Sequence, residues 1–201
     1  MSESLVEWYA KNYFEQKGYN PDRSLEIACK YVDAFASRDL TDHSNPKVGA
    51  LRGAANEMIL TGFFNDQLSF GKYSYALGSK TKESSGVDIM GRVMGGDVLG
   101  IGVKLEHRPD PIFKRTPPVV NFMIPPELSG VDKFLTLQQK GNLMLPEEFV
   151  HERRYVQPHS ILSIVGDQIS QIARLNEWKQ FPDAKGMLKD LQKAQKAQKG
   201  R

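Results

Sequence analysis

Three side chains of this 201-residue chain combine a reactive type with a context that can bring them together: Asp88 in SSGVDIMG, Lys104 in VLGIGVKLE and Glu57 in GALRGAANEMIL. A carboxylate and an ammonium on adjoining strands form, at their simplest, a cross-strand ion pair worth well under ~1 kcal/mol when solvated. Basic pairs on predicted loops, Lys80 with Lys82, His107-Arg108, Lys114-Arg115 and Arg153-Arg154, offer contacts to phosphate. Other chemistries lack their residues. The four histidines, His43, His107, His151 and His159, are far apart and show neither an i, i+4 pair nor an E-x-x-H frame. The Gly-rich stretch SFGKYSYALGSKTKESSG lacks P-loop spacing, and no G-x-S-x-G elbow presents a nucleophilic serine. The single cysteine, Cys29, excludes an intramolecular disulfide and a cysteine cluster for zinc, and reads as a small core residue.

The elements that must position Asp88, Lys104 and Glu57 follow from periodicity. The first forty residues predict a helical hairpin: Gly18 closes one helix, and Asn20-Pro21 opens the next with a cap and a first-turn proline. Ser44-Asn45-Pro46 repeats the start signal for a third helix, to about Asp66, with Leu51, Ala55, Met58, Ile59 and Phe63 on one stripe and Glu57 beside it. Gly49, Gly53 and Gly62 in that helix permit close approach to a neighbouring backbone. From about Tyr73 the period changes to alternation, predicting strands near 72–78, 86–94 and 97–107, then 119–124 between two Pro-Pro pairs. Residues 127–157 read as loop with a short helix after Pro146. A last long helix follows Pro158, burying Ile161, Leu162, Val165, Ile169, Ile172, Leu175 and Trp178. The fold class is α+β, a mixed or antiparallel sheet of about four strands flanked by N-terminal helices and a long C-terminal helix.

The hairpin register decides which polar residues meet. Val87, Ile89 and Val93 alternate with Asp88 and Arg92, and Leu99, Ile101, Val103 and Leu105 alternate with Gly100, Gly102 and Lys104. Both apolar rows must share a face to be buried. A two-residue turn at Gly95-Gly96 would set Val87 against Lys104 and fails that test. A three-residue loop, Gly95-Gly96-Asp97, pairs Ile89 with Val103 and sets Asp88 directly opposite Lys104.

A helix bearing glutamate, a strand carrying Asp and a next strand ending in acid-x-Lys is the pattern of the PD-(D/E)XK nuclease superfamily. Glu57, Asp88 and Lys104 resemble those elements in that order, over about residues 46–108. The resemblance implies that the acids Asp88 and Glu57 hold Mg²⁺, which activates water for phosphodiester hydrolysis, while Lys104 positions the nucleophile or neutralises charge. Two departures stand out. Gly102 occupies the position of the acid two residues before the lysine, and prolines rather than a helical pattern follow the hairpin. Glu106 lies on the right face but ~13 Å further along a strand rising ~3.3 Å per residue, too far to substitute, which leaves Glu57 as the replacement ligand.

Composition sets the remaining expectations. The net charge is +3, but residues 183–201 carry six basic residues against two acids, leaving the body near neutral. The chain is thus expected to be one nuclease-like domain over 1–182 with a basic low-complexity tail, 183–201, whose Lys193, Lys196 and Lys199 bind nucleic acid by counterion release. With no long apolar run and no signal-peptide order at the start, a cytoplasmic protein without a membrane span is expected. The expected partner is nucleic acid, DNA ahead of RNA, and the expected function is that of a nucleic-acid-associated protein with a nuclease-like core. If it is an enzyme, it is a metal-dependent endonuclease. The alternative is a non-catalytic structural or adaptor subunit of a homo-oligomer or larger protein assembly.

Overall fold

The computed structural model describes residues 4–36, 45–79, 86–104, 111–152 and 154–199. The N-terminal hairpin forms as its signals predict. Helix α1 (Leu5–Tyr9) runs on through a π-helical turn (Ala10–Phe14), Gly18 reverses the chain at φ 85, and α2 (Pro21–Ala36) returns. The Asn20 side chain caps α2 by accepting from the Arg23 amide at 2.9 Å. The Phe14 and Tyr31 rings meet edge to face at 5.0 Å, joining the two arms. Cys29, expected in the core, is exposed. On α2 the inward positions are Ser24, Ala28 and Phe35, and Cys29 sits one step, about 100°, around the helix from Ala28.

Helix α3 (Pro46–Leu68) is the hub. Residues Val48, Leu51, Ala54, Ala55, Met58, Ile59, Leu60, Phe63, Phe64 and Leu68 are all buried, so the expected single stripe is in fact burial on nearly every side. Asn45 caps it through a 3.0 Å bond from the Lys47 amide. Of its three glycines only Gly62 sits against another backbone, where a Cβ would stand 3.3 Å from Pro146; nothing lies within 4 Å at Gly49 or Gly53.

Four strands follow: β1 (Tyr73–Leu77), β2 (Ile89–Val93), β3 (Gly96–Lys104) and β4 (Val119–Met123), in the order β1-β2-β3-β4. The first three form an antiparallel meander and β4 runs parallel to β3. The α+β class and mixed sheet are therefore as the periodicity predicts. The β2–β3 register is not. The turn is two residues, Met94-Gly95, both at positive φ (48 and 79), and the pairing runs Val93↔Gly96, Arg92↔Asp97, then Gly91↔Leu99 and Ile89↔Ile101. Val98 is the extra residue of a bulge. A two-residue turn alone would put the apolar rows on opposite faces, and the bulge restores the match. Asp88 lies one residue before the last paired position, and its amide donates to the Ile101 carbonyl, so the expected direct pairing with Lys104 does not form.

Three helices occupy the stretch read as mostly loop: α4 (Pro126–Ser129), α5 (Val131–Gln139), which buries Val131, Phe134 and Leu135, and α6 (Pro146–His151). Helix α7 (Pro158–Ile172) buries Ile161, Leu162, Val165 and Ile169 as predicted, and its Gln168 closes the outer edge of β4 by bonding the Met123 amide (2.9 Å) and carbonyl (3.0 Å). Trp178 is buried from a separate 3₁₀ turn (Asn176–Gln180), whereas Leu175 is exposed. The segment expected to be a tail begins as core: α8 (Pro182–Lys199) buries Ala184, Met187, Leu188 and Leu191, and Met187 lies where a side chain on Gly91 of β2 would go. No described helix is long and apolar enough to cross a membrane.

Candidate functional site at the Asp88 end of the sheet

Asp88 immediately precedes β2, where the backbone bends out of the ladder. Its amide still donates to the Ile101 carbonyl (2.9 Å) and its carbonyl accepts from Gly78 (2.8 Å). The next acceptor along β3 is its side chain: Oδ2 takes the Val103 amide at 2.6 Å, replacing a main-chain carbonyl, and the Lys104 ammonium at 3.2 Å. The expected Asp88–Lys104 proximity thus exists, reached diagonally from the corrected register. Both side chains are partly open to solvent, 16% for Asp88 and 35% for Lys104.

Glu57 reaches the same end of the sheet from α3. Its Oε2 accepts from the Tyr13 hydroxyl at 2.9 Å and from the Lys17 ammonium at 2.6 Å. Lys17 is 1% exposed, its ammonium lying against the Tyr13 ring, 4.5 Å from the centroid. Burial raises the Glu57 carboxyl above the ordinary glutamate range; Lys17 opposes the shift, and the charge of Asp88 adds to it. Nothing in the sequence singles out Lys17, which reads as one more charge on an amphipathic helix. Only the fold turns it inward.

The donor set suits a hard divalent cation. Mg²⁺ is characteristically held by one or two carboxylates together with water and substrate phosphate, and Asp88 and Glu57 can supply those two. Lys17 and Lys104 balance the two acids, so such a cation gains most once a phosphate adds negative charge. Among the described residues no group of three or more His, Cys, Asp or Glu side chains converges.

Gly102, the hole in the pattern, has a structural cause. A Cβ there would stand 2.3 Å from Asn121 Oδ1 and 2.7 Å from the Gly86 carbonyl oxygen. Gly102→Ala should therefore destabilise the protein by about 1–3 kcal/mol, because the Gly86 backbone cannot yield as a flexible side chain can. Thermal unfolding reads this directly, and a melting temperature equal to the wild type's would show that the 86–88 crossing is soft.

Most of the other predicted binding residues lie outside the described part of the chain. Lys80, Lys82, His107, Arg108 and Arg153 lie outside the described residues, as do the side chains of Lys196 and Lys199. Lys114 is exposed and Arg115 half-buried on the β3–β4 connection, and Lys193 is exposed and paired with Asp190 at 3.0 Å. Arg154 pairs with Glu152 at 3.2 Å and covers the Tyr155 ring. A cavity of about 450 Å³ beside Arg154 and Lys133 is lined also by Glu127 and Asp132, so it presents both signs of charge. No family model, no curated protein and no solved structure matches this chain.

Proposed function

We propose that the Asp88 end of the sheet is a phosphodiester-hydrolysing site in a nucleic-acid-binding protein, with Asp88 and Glu57 as oxygen ligands for Mg²⁺ and Lys104 as the cation facing the phosphate. The observation that carries this reading is the Asp88–Lys104 pair at 3.2 Å, with the half-buried Glu57 held by Lys17 on the neighbouring helix α3. The chain order supports it: a helix with Glu57, then Asp88 at the head of one strand and Lys104 at the foot of the next, the pattern of the PD-(D/E)XK superfamily. Bound Mg²⁺ would supply an activated water and charge stabilisation at phosphorus. The chain's own part is to hold Asp88 rigidly through the Val103 amide, keep Glu57 ionised with Lys17, and offer the Lys104 ammonium to a phosphate oxygen.

One observation favours a second reading. Both acids already hold a lysine and a further donor, which is what a purely structural network requires, and a non-catalytic adaptor or assembly subunit would keep it for stability alone. Incubation with supercoiled plasmid and with single-stranded DNA and RNA, in millimolar Mg²⁺ or Mn²⁺, separates the two. The enzymatic reading expects cleavage by the wild type and its loss in Asp88→Ala, with the variant still folded by circular dichroism. Absence of wild-type cleavage under all these conditions leaves the adaptor.

A further inference from the structure

Asn121 sits at the middle of β4, flanked by buried Val120 and Phe122. Asn is depleted in strands, and its carboxamide makes no hydrogen bond to any described residue, although half-buried amides normally find a partner. Its position explains what that oxygen faces. The parallel register pairs Asn121 with Gly102, two residues before Lys104, whose ammonium meets Asp88 Oδ2 at 3.2 Å. Asn121 therefore sits on β4 beside the stretch of β3 whose Val103 amide donates to Asp88 Oδ2 at 2.6 Å.

Gly102 contributes only space there, and Asn121 fills the space. The point where a Gly102 Cβ would stand lies 2.3 Å from Asn121 Oδ1, 2.7 Å from the Gly86 carbonyl oxygen and 3.2 Å from Lys104 Cε. An acid two residues before the lysine would have extended from that same point. We propose that Asn121 is a third oxygen donor of the Asp88 site, supplying from β4 the ligand that β3 lacks. This rests on the metal-dependent reading of the site. The donor is neutral, so the site carries one negative charge fewer than a three-acid site and binds a divalent cation correspondingly weakly, since ligand charge count tunes affinity.

Direct cation binding to the full chain tests this without nucleic acid, by Mn²⁺ titration followed by electron paramagnetic resonance and by the Mg²⁺-dependent rise in melting temperature. Asp88→Ala should abolish binding. Asn121→Ala should weaken it, and Asn121→Asp, which changes charge at constant shape, should tighten it, each on the order of ten-fold. Unchanged affinity in both Asn121 variants, with binding lost in Asp88→Ala, overturns the assignment of Asn121 while leaving the metal site standing. If Asn121→Ala does not fold, the isosteric aspartate alone decides, and affinity no higher than wild type's refutes the proposal. A wild type that binds neither cation at millimolar concentration removes the metal site itself, and Asn121's role with it.

Discussion

A chain truncated after Pro182 should fail to fold cooperatively rather than merely lose affinity for nucleic acid. Truncation removes α8, and with it Met187, Leu188 and Leu191, each 1% exposed or less. Deleting a buried Leu or Met side chain costs roughly 2–5 kcal/mol, and a domain of this size has only about 5–15 kcal/mol in total. The loss also uncovers Gly91, against which the Met187 thioether packs, and breaks the bond from the Tyr73 hydroxyl to Asp190 at 2.6 Å. A broad urea transition, or none, in the truncated chain is the expected result, and a sharp one with a midpoint near the wild type's would show α8 to be dispensable. Because deletion confounds folding with charge, Lys193, Lys196 and Lys199 are better replaced together by Gln. That variant should fold normally, and if these lysines anchor nucleic acid its affinity should fall and its salt dependence flatten.

The same helix shows why part of the fold was legible in the sequence and part was not. Strands β1 to β4 and helices α2 and α7 announce themselves by strong periodicity and α3 by its cap, with Asn20, Asn45 and Pro158 each at a helix start. The run LQKAQKAQKGR hides α8, because Lys and Gln dominate composition there while the buried Met187, Leu188 and Leu191 are few. Helix α5 escaped similarly, its short VDKFLTLQQ framed by glycines and prolines that read as loop. At the site, alternation set Ile89 on the same face as the apolar row of β3 but left the loop geometry underdetermined, so it paired Ile89 with Val103 where the strands pair it with Ile101. A three-residue loop and a two-residue turn with a bulge satisfy the same face rule, and the choice turned on Met94 accepting positive φ. Lys17 and Asn121 were beyond reach for another reason: their importance lies in contacts separated by 40 residues from Glu57 and by the strand pairing with Gly102, which local patterns do not encode.

Lys17→Met should cost about 3–5 kcal/mol at neutral pH, the usual penalty for removing one partner of a buried ion pair. Met preserves most of the stem's packing, so the loss isolates the charge. Among the described residues it leaves Glu57, partly desolvated, with the Tyr13 hydroxyl alone to compensate. The pH dependence then has a definite sign. Burial already holds the Glu57 carboxyl above its ordinary value of 4.5, so the fold favours the protonated form relative to the unfolded chain. Glu57's contribution is therefore fully present below that ordinary value and is lost as pH rises through the folded-state value. Removing Lys17 takes away the opposing charge and raises the folded-state value further, which widens the window and deepens the loss at neutral pH. Urea midpoints of variant and wild type should accordingly lie closest together at mildly acidic pH and diverge toward neutrality. Adding Glu57→Gln, which deletes the charge that Lys17 balanced, should recover much of the neutral-pH deficit. A deficit equal at both pH values, and unrelieved by the added Glu57→Gln substitution, would mean that Lys17 contributes through packing and that Glu57 does not depend on it for its charge.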